Sequence, residues 1–148
     1  MGLLGVRGEQ RIINDHILYY AVYHTPCLLI DAANCANPHK LYPLAREEQL
    51  YNIHVIEVEL LYVFRDVLLR CHRFAQQRAV RHILLTTFNQ LFHYQDAKEN
   101  DNIHEHAWEL LRTLGQRYDV RVGIHHRHEA RARRFCDAII TQHSLAGY

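Results

Sequence analysis

Two kinds of apolar run alternate along the chain. Short, nearly unbroken runs occur at 27–30, Ile53–Val58, Val80–Phe88 and Val120–Ile124, and each has the length and β-branched content of a buried strand. A minimal strand at 2–5 and a last one at Asp137–Thr141 complete the set. Between them the spacing changes from two to between three and four. Ile12, Ile13, Ile17, Leu18, Ala21 and Val22 share a face over Glu9–His24, and Pro26 stops that helix. Residues 60, 61, 64, 67, 68, 71 and 74 give a second helix. Ala107, Trp108, Leu110, Leu111 and Leu114 give a third, which ends near Gly115.

The punctuation follows the same scheme. Asn37 before Pro38 predicts an N-cap and a first helical turn, and Pro43 then splits or distorts that helix. The polar stretch Tyr94–Asn102 predicts a loop, with Asn102 and Glu105 spaced as a capping box. Glu129–Phe135 reads as a short basic helix or loop. Strands alternating with helices imply parallel βαβ units in a sheet covered on both faces. The expected fold is therefore α/β and three-layered, with one domain spanning 1–148.

Composition changes this picture little. The length of 148 residues suffices for one genuine core, and a net charge of +1 announces neither nucleic acid nor membrane. No apolar run approaches the roughly 18 residues of a membrane span, and the N-terminus lacks signal-peptide features, so a cytoplasmic protein is expected. The four cysteines form no CxxC pair, which argues against a zinc ribbon and for buried free thiols. Thirteen histidines are the unusual feature.

The stretch Cys27–Pro38, CLLIDAANCANP, gives the chain its most specific text. With the order strand, GxxGxxR, helix, strand, IDAAN and NP, the chain resembles the ATPase core of the RecA/RadA/KaiC group, including RadB-like members. The resemblance implies a RecA-like P-loop NTPase fold. It also places a nucleotide site at Gly5, Gly8, Arg11 and Asp31. Each diagnostic residue is altered, however. Gln10 takes the place of the second glycine, Arg11 that of the lysine and Ile12 that of the magnesium-binding hydroxyl. Thr86 or Thr87 falls where the family has its metal-associated aspartate, and Ala33 where it has the water-activating glutamate. Such a core lacks a functional P-loop. Weak or absent ATP binding and no catalysis are expected.

Simpler readings stand beside these. Asp31 serves either as a ligand contact or as a cap on the following turn, the commoner role at a strand end. Gly5 and Gly8 form either a relic phosphate cradle or a tight strand-to-helix turn. His126 and His128, which share one face if on a strand, with the Glu129 carboxylate beside them, suggest a metal, but they lie among arginines that repel a cation, and no metal site is assigned.

The segment His125–Arg134, HHRHEARARR, is the densest positive patch. In recombinases of the RecA family, the loop between the equivalent strands contacts single-stranded DNA. The resemblance thus assigns nucleic-acid contact to Arg127, His128, Arg131, Arg133 and Arg134. Arginines at 127, 131 and 134 equally suit a solvated helix face that pairs with acidic groups of a partner. The acidic stretch 96–105 has the complementary sign, which predicts a contact between copies and a homo- or hetero-oligomer. The leading expectation is an inactive RecA/RadB-like paralogue. It would serve DNA recombination or repair as an accessory module and bind single-stranded DNA or a recombinase-type partner. The alternatives are a protein–protein adaptor without nucleic-acid contact and a nucleotide-binding enzyme with non-standard ligands.

Overall fold

A computed structural model describes residues 1–93 and 96–143 of the chain. Its strands are β1 Gly2–Gly8, β2 Cys27–Ala32, β3 Ile53–Val58, β4 His82–Leu85, β5 Asp119–Ile124 and β6 Ala138–Gln142. The helices are α1 Gln10–Tyr23, α2 Glu47–Tyr51, α3 Leu61–Gln77, α4 Ala97–Gly115 and α5 Glu129–Phe135, with 3-10 turns at Pro38–Leu41 and His126–His128. All six strands run parallel in the order β3-β2-β4-β5-β1-β6. This is an α/β fold with one parallel sheet flanked by helices.

Alternation along the strands divides the core in two. Leu28, Ile30, Ile83, Leu85, Val120 and Val122 face α3, α4 and α5, where Phe64, Trp108 and Phe135 fill the layer. Cys27, Leu29 and Leu84 face α1 through Ile17, Leu18 and Ala21. Both sides of these strands are apolar because both are covered, which is why their sequences read as continuous hydrophobic runs.

Four elements depart from the sequence expectation. β1 runs on to Gly8 instead of stopping at 5, because its position between β5 and β6 gives every residue a ladder partner. β4 leaves the ladder after Leu85, although Thr86, Thr87 and Phe88 stay buried. Asn37 makes no side-chain cap; its φ of 51° turns the chain into the 3-10 turn, and Pro43 separates that turn from α2. α4 begins at Ala97, where Asp96 accepts from the Glu99 N–H at 2.9 Å, so the capping box at Asn102 does not form. The polar residues 98–102 belong to the helix, not to a loop. Residues 94 and 95 of the expected loop lie outside the described residues.

Candidate functional site at the carboxyl edge

The connections that leave β1, β2, β4 and β5 gather at one edge of the parallel sheet, the edge at which α/β proteins place their ligands. Two groups of polar side chains stand there.

The first fills the crevice beside β2 and β4. Thr86 Oγ1 accepts from the Ala32 N–H at 2.9 Å. Asn14 of α1 donates to Thr87 Oγ1 at 3.1 Å and accepts from the Thr87 N–H at 3.0 Å. Asp31 is fully buried, and its Oδ1 accepts from the Ala36 N–H at 3.1 Å while Oδ2 has no partner. It caps the turn after β2. Burial pushes the Asp31 carboxyl above the usual carboxylate range; the Ala36 N–H opposes this, and Glu57 and Glu59 add to it. Cys35 lies near Gln90 Oε1 at 3.5 Å and Gln10 Nε2 at 3.8 Å, and burial raises its thiol. A thiol so raised is a poor nucleophile.

The four positions assigned to a degenerate nucleotide site do not form a cradle. Gly5 pairs with Val122 and Ile139 inside β1, where a Cβ would come within 2.2 Å of Ile124 Cδ1. Gly8 has φ +146°, and a Cβ there would meet the Gln142 carbonyl oxygen at 2.4 Å. Both glycines thus answer to neighbouring strands, and Glu9 alone separates β1 from α1. A connection that short cannot wrap a phosphate with successive N–H groups. Of the two readings of Gly5 and Gly8, the geometry matches the tight strand-to-helix turn. Arg11 is exposed on the first turn of α1, and Ala33 sits in the following loop with φ 54°.

The second group is the basic segment on the turn His126–His128 and α5. Arg131 pairs with Asp101 and, at 3.2 Å, with Glu105. Arg134 holds Glu105 through two contacts, 2.7 and 3.2 Å. Arg133 pairs with Glu129 at 2.9 Å, and Arg7 reaches the same carboxylate from β1. The acidic and basic segments thus meet within one chain, because α4 and α5 pack side by side. The complementary charges that suggested a contact between copies thus pair inside one chain. Arg127 is exposed and makes no ion pair among the described residues.

His128 packs edge-on to His104, ring centroids 4.8 Å apart, and both rings lie against Phe88. Burial and the nearby guanidiniums of Arg131 and Arg127 press His128 down to about 3; burial and Arg131 bring His104 to about 4. Both rings are neutral at physiological pH. His126 and His128 lie on a 3-10 turn, not a strand, and Glu129 is taken by arginines. Among the described residues no three His, Cys, Asp or Glu side chains are grouped to hold a metal. No helix among them is long and apolar enough to cross a membrane.

Sequence reading missed Asn14, although a lone polar side chain within the apolar face of α1 is a signal of a buried partner. It also missed the pairing of His104 with His128, which lie 24 positions apart and meet only through α4–α5 packing. No family model matches the chain, and no curated protein is significantly similar to it.

Proposed function

We propose that the chain is a non-hydrolysing relative of the RecA/RadA/KaiC group that works by contact. It would serve DNA recombination or repair as an accessory module and engage single-stranded DNA or a recombinase-type partner. The observation that carries this reading is the position of 125–134. The segment stands at the carboxyl edge, where Arg127 is exposed and makes no ion pair among the described residues, beside Arg131, Arg133 and Arg134. The ion pairs that occupy the other three arginines lie at the surface and are partly exposed on at least one side. A polyanion that releases its counterions competes with such pairs. What supports inactivity is the end of β4, where Asn14 and Thr87 satisfy each other, Thr86 accepts from the Ala32 N–H, and neither a lysine nor a glycine loop is present.

A protein adaptor is the second reading, and a different observation favours it. β3 is an outer strand of the sheet. The exposed Val55 on it and Tyr42 line one shallow groove with Leu41, Leu50 and Ile53, an apolar and aromatic surface of the kind found at interfaces.

Thermal unfolding with magnesium and ATP, ADP or GTP tests the loss of the nucleotide site, since a ligand bound only by the folded state raises its stability. A flat response is expected. A midpoint that climbs with nucleotide concentration would instead favour the enzyme reading. Gel retardation of a single-stranded oligonucleotide tests the contact reading: retardation at low salt separates the DNA module from the adaptor.

A further inference from the structure

Between α4 and the turn leading into α5 lies a cleft of about 460 Å³. Arg127, Arg131, Arg134, His104, His128 and Asp101 line it, with Asn100 and Ala130. The lining carries more positive than negative groups, three guanidiniums to the one carboxylate of Asp101. Three guanidiniums approach a single concavity, two imidazoles form a wall, and Asn100 adds an amide.

The groups are also ordered before any ligand arrives. Asp101 and Glu105 fix Arg131, and Glu105 fixes Arg134 with a two-point contact. A fork already held in place loses less freedom on binding. His104 Nδ1 is buried without a hydrogen-bond partner, a ring nitrogen that the fold leaves unsatisfied. Arg127 makes no ion pair among the described residues, so its charge is uncommitted.

These donors suit one group better than a running backbone. A phosphomonoester carries about −1.5 to −2 charges at neutral pH and three terminal oxygens. A phosphodiester within a strand carries one charge and offers two free oxygens. Against three arginines stand two carboxylates, and Asp101, the more exposed at 66%, yields Arg131 to a stronger anion with little loss.

We infer that the α4–α5 cleft binds a terminal phosphate, with Arg127, Arg131 and Arg134 as its anion-holding residues. The phosphate would belong either to the 5′ end of a nucleic-acid strand or to a small phosphomonoester. The inference deepens the contact reading above by naming the group that is recognised.

The test is fluorescence anisotropy with one short single-stranded oligonucleotide, labelled at its 3′ end, carrying either a 5′-phosphate or a 5′-hydroxyl. Inorganic phosphate and adenosine monophosphate serve as competitors and, separately, as calorimetric titrants. At least tenfold tighter binding of the phosphorylated end is expected, and Arg127→Ala should abolish that preference. Arg127 is exposed and makes no ion pair among the described residues, so the variant should keep the wild-type circular dichroism spectrum and melting point. Asp101→Asn, which removes a charge from the cleft and frees Arg131, should tighten binding a few-fold.

Equal affinity for the two ends, unaffected by Arg127→Ala, would overturn the cleft while leaving strand binding intact. Binding of the monophosphate that depends on Arg127, with neither oligonucleotide bound, would support the cleft, assign it to small ligands and remove the nucleic-acid reading. Failure of all four probes would overturn both.

Discussion

Asn14 and Thr87 hold each other twice: the amide of Asn14 donates to Thr87 Oγ1 at 3.1 Å and its oxygen accepts from the Thr87 N–H at 3.0 Å. Both residues are buried, at 2% and 0% exposure. This pair ties α1 to the end of β4 and occupies the crevice next to Asp31.

Replacing Asn14 should therefore destabilise the protein through polarity more than volume. Asn14→Leu keeps the size and strands the Thr87 N–H, which costs about 1–3 kcal/mol. Asn14→Asp retains an acceptor for that N–H but buries a charge. Chemical denaturation of Asn14→Leu is expected to show a lower midpoint with an unchanged slope. A midpoint equal to wild type would mean that the pair contributes nothing.

Gly8 distinguishes a strand glycine from a phosphate-loop glycine. Gly8→Ala is expected to lower stability by about 1–3 kcal/mol with no ligand present, because the methyl group meets the Gln142 carbonyl oxygen in a backbone region few side chains adopt. A glycine needed only to approach a phosphate would tolerate alanine in the free protein. Thermal melts of the two forms decide it.

His104 and His128 predict acid sensitivity. The unfolded chain takes up protons near the ordinary 6.5, whereas the folded rings resist until about 4 and about 3. The folded state then binds fewer protons, so stability is full above 6.5 and falls as the pH drops toward those values. His128→Gln should flatten the stability–pH curve between pH 6.5 and 4. A variant curve parallel to wild type would refute the assignment.

Asp31 acts with the opposite sign. Its folded carboxyl ionises later than its ordinary 3.8, so the folded state holds the extra proton and stability declines as the pH rises above that value. Asp31→Asn keeps an acceptor for the Ala36 N–H and removes the titration. Measured against wild type, the variant should gain in relative stability from pH 3 to pH 7. A constant difference would place the Asp31 pKa at its ordinary value.

Much of this fold was legible in the chain, and the exceptions have one cause. β2, β3, β5 and α1 fall almost where hydrophobic spacing puts them, and Pro26 marks the boundary between α1 and β2. β1 could not be bounded from its own residues: Val6 to Gly8 extend only because β5 and β6 supply partners on both sides. The start of α4 was misplaced because Asn102 offers a cap as plausible as Asp96, and only the folded helix distinguishes them. The candidate site divides in the same way. The capping role of Asp31 follows from its position after an apolar strand, whereas the pairing of Arg131 and Arg134 with Asp101 and Glu105 exists only once two helices lie together.

The central claim is that the basic edge engages phosphates, and it is tested most directly by the salt dependence of single-stranded DNA binding. If the arginines of this edge neutralise phosphates, the logarithm of affinity should fall linearly with that of salt concentration, with a slope of about −0.7 per phosphate contacted. Changing Arg127, Arg131, Arg133 and Arg134 together to alanine should abolish binding at low salt, or leave a residual affinity whose slope is near zero. No binding at low salt, or a slope unchanged by the four substitutions, would contradict it.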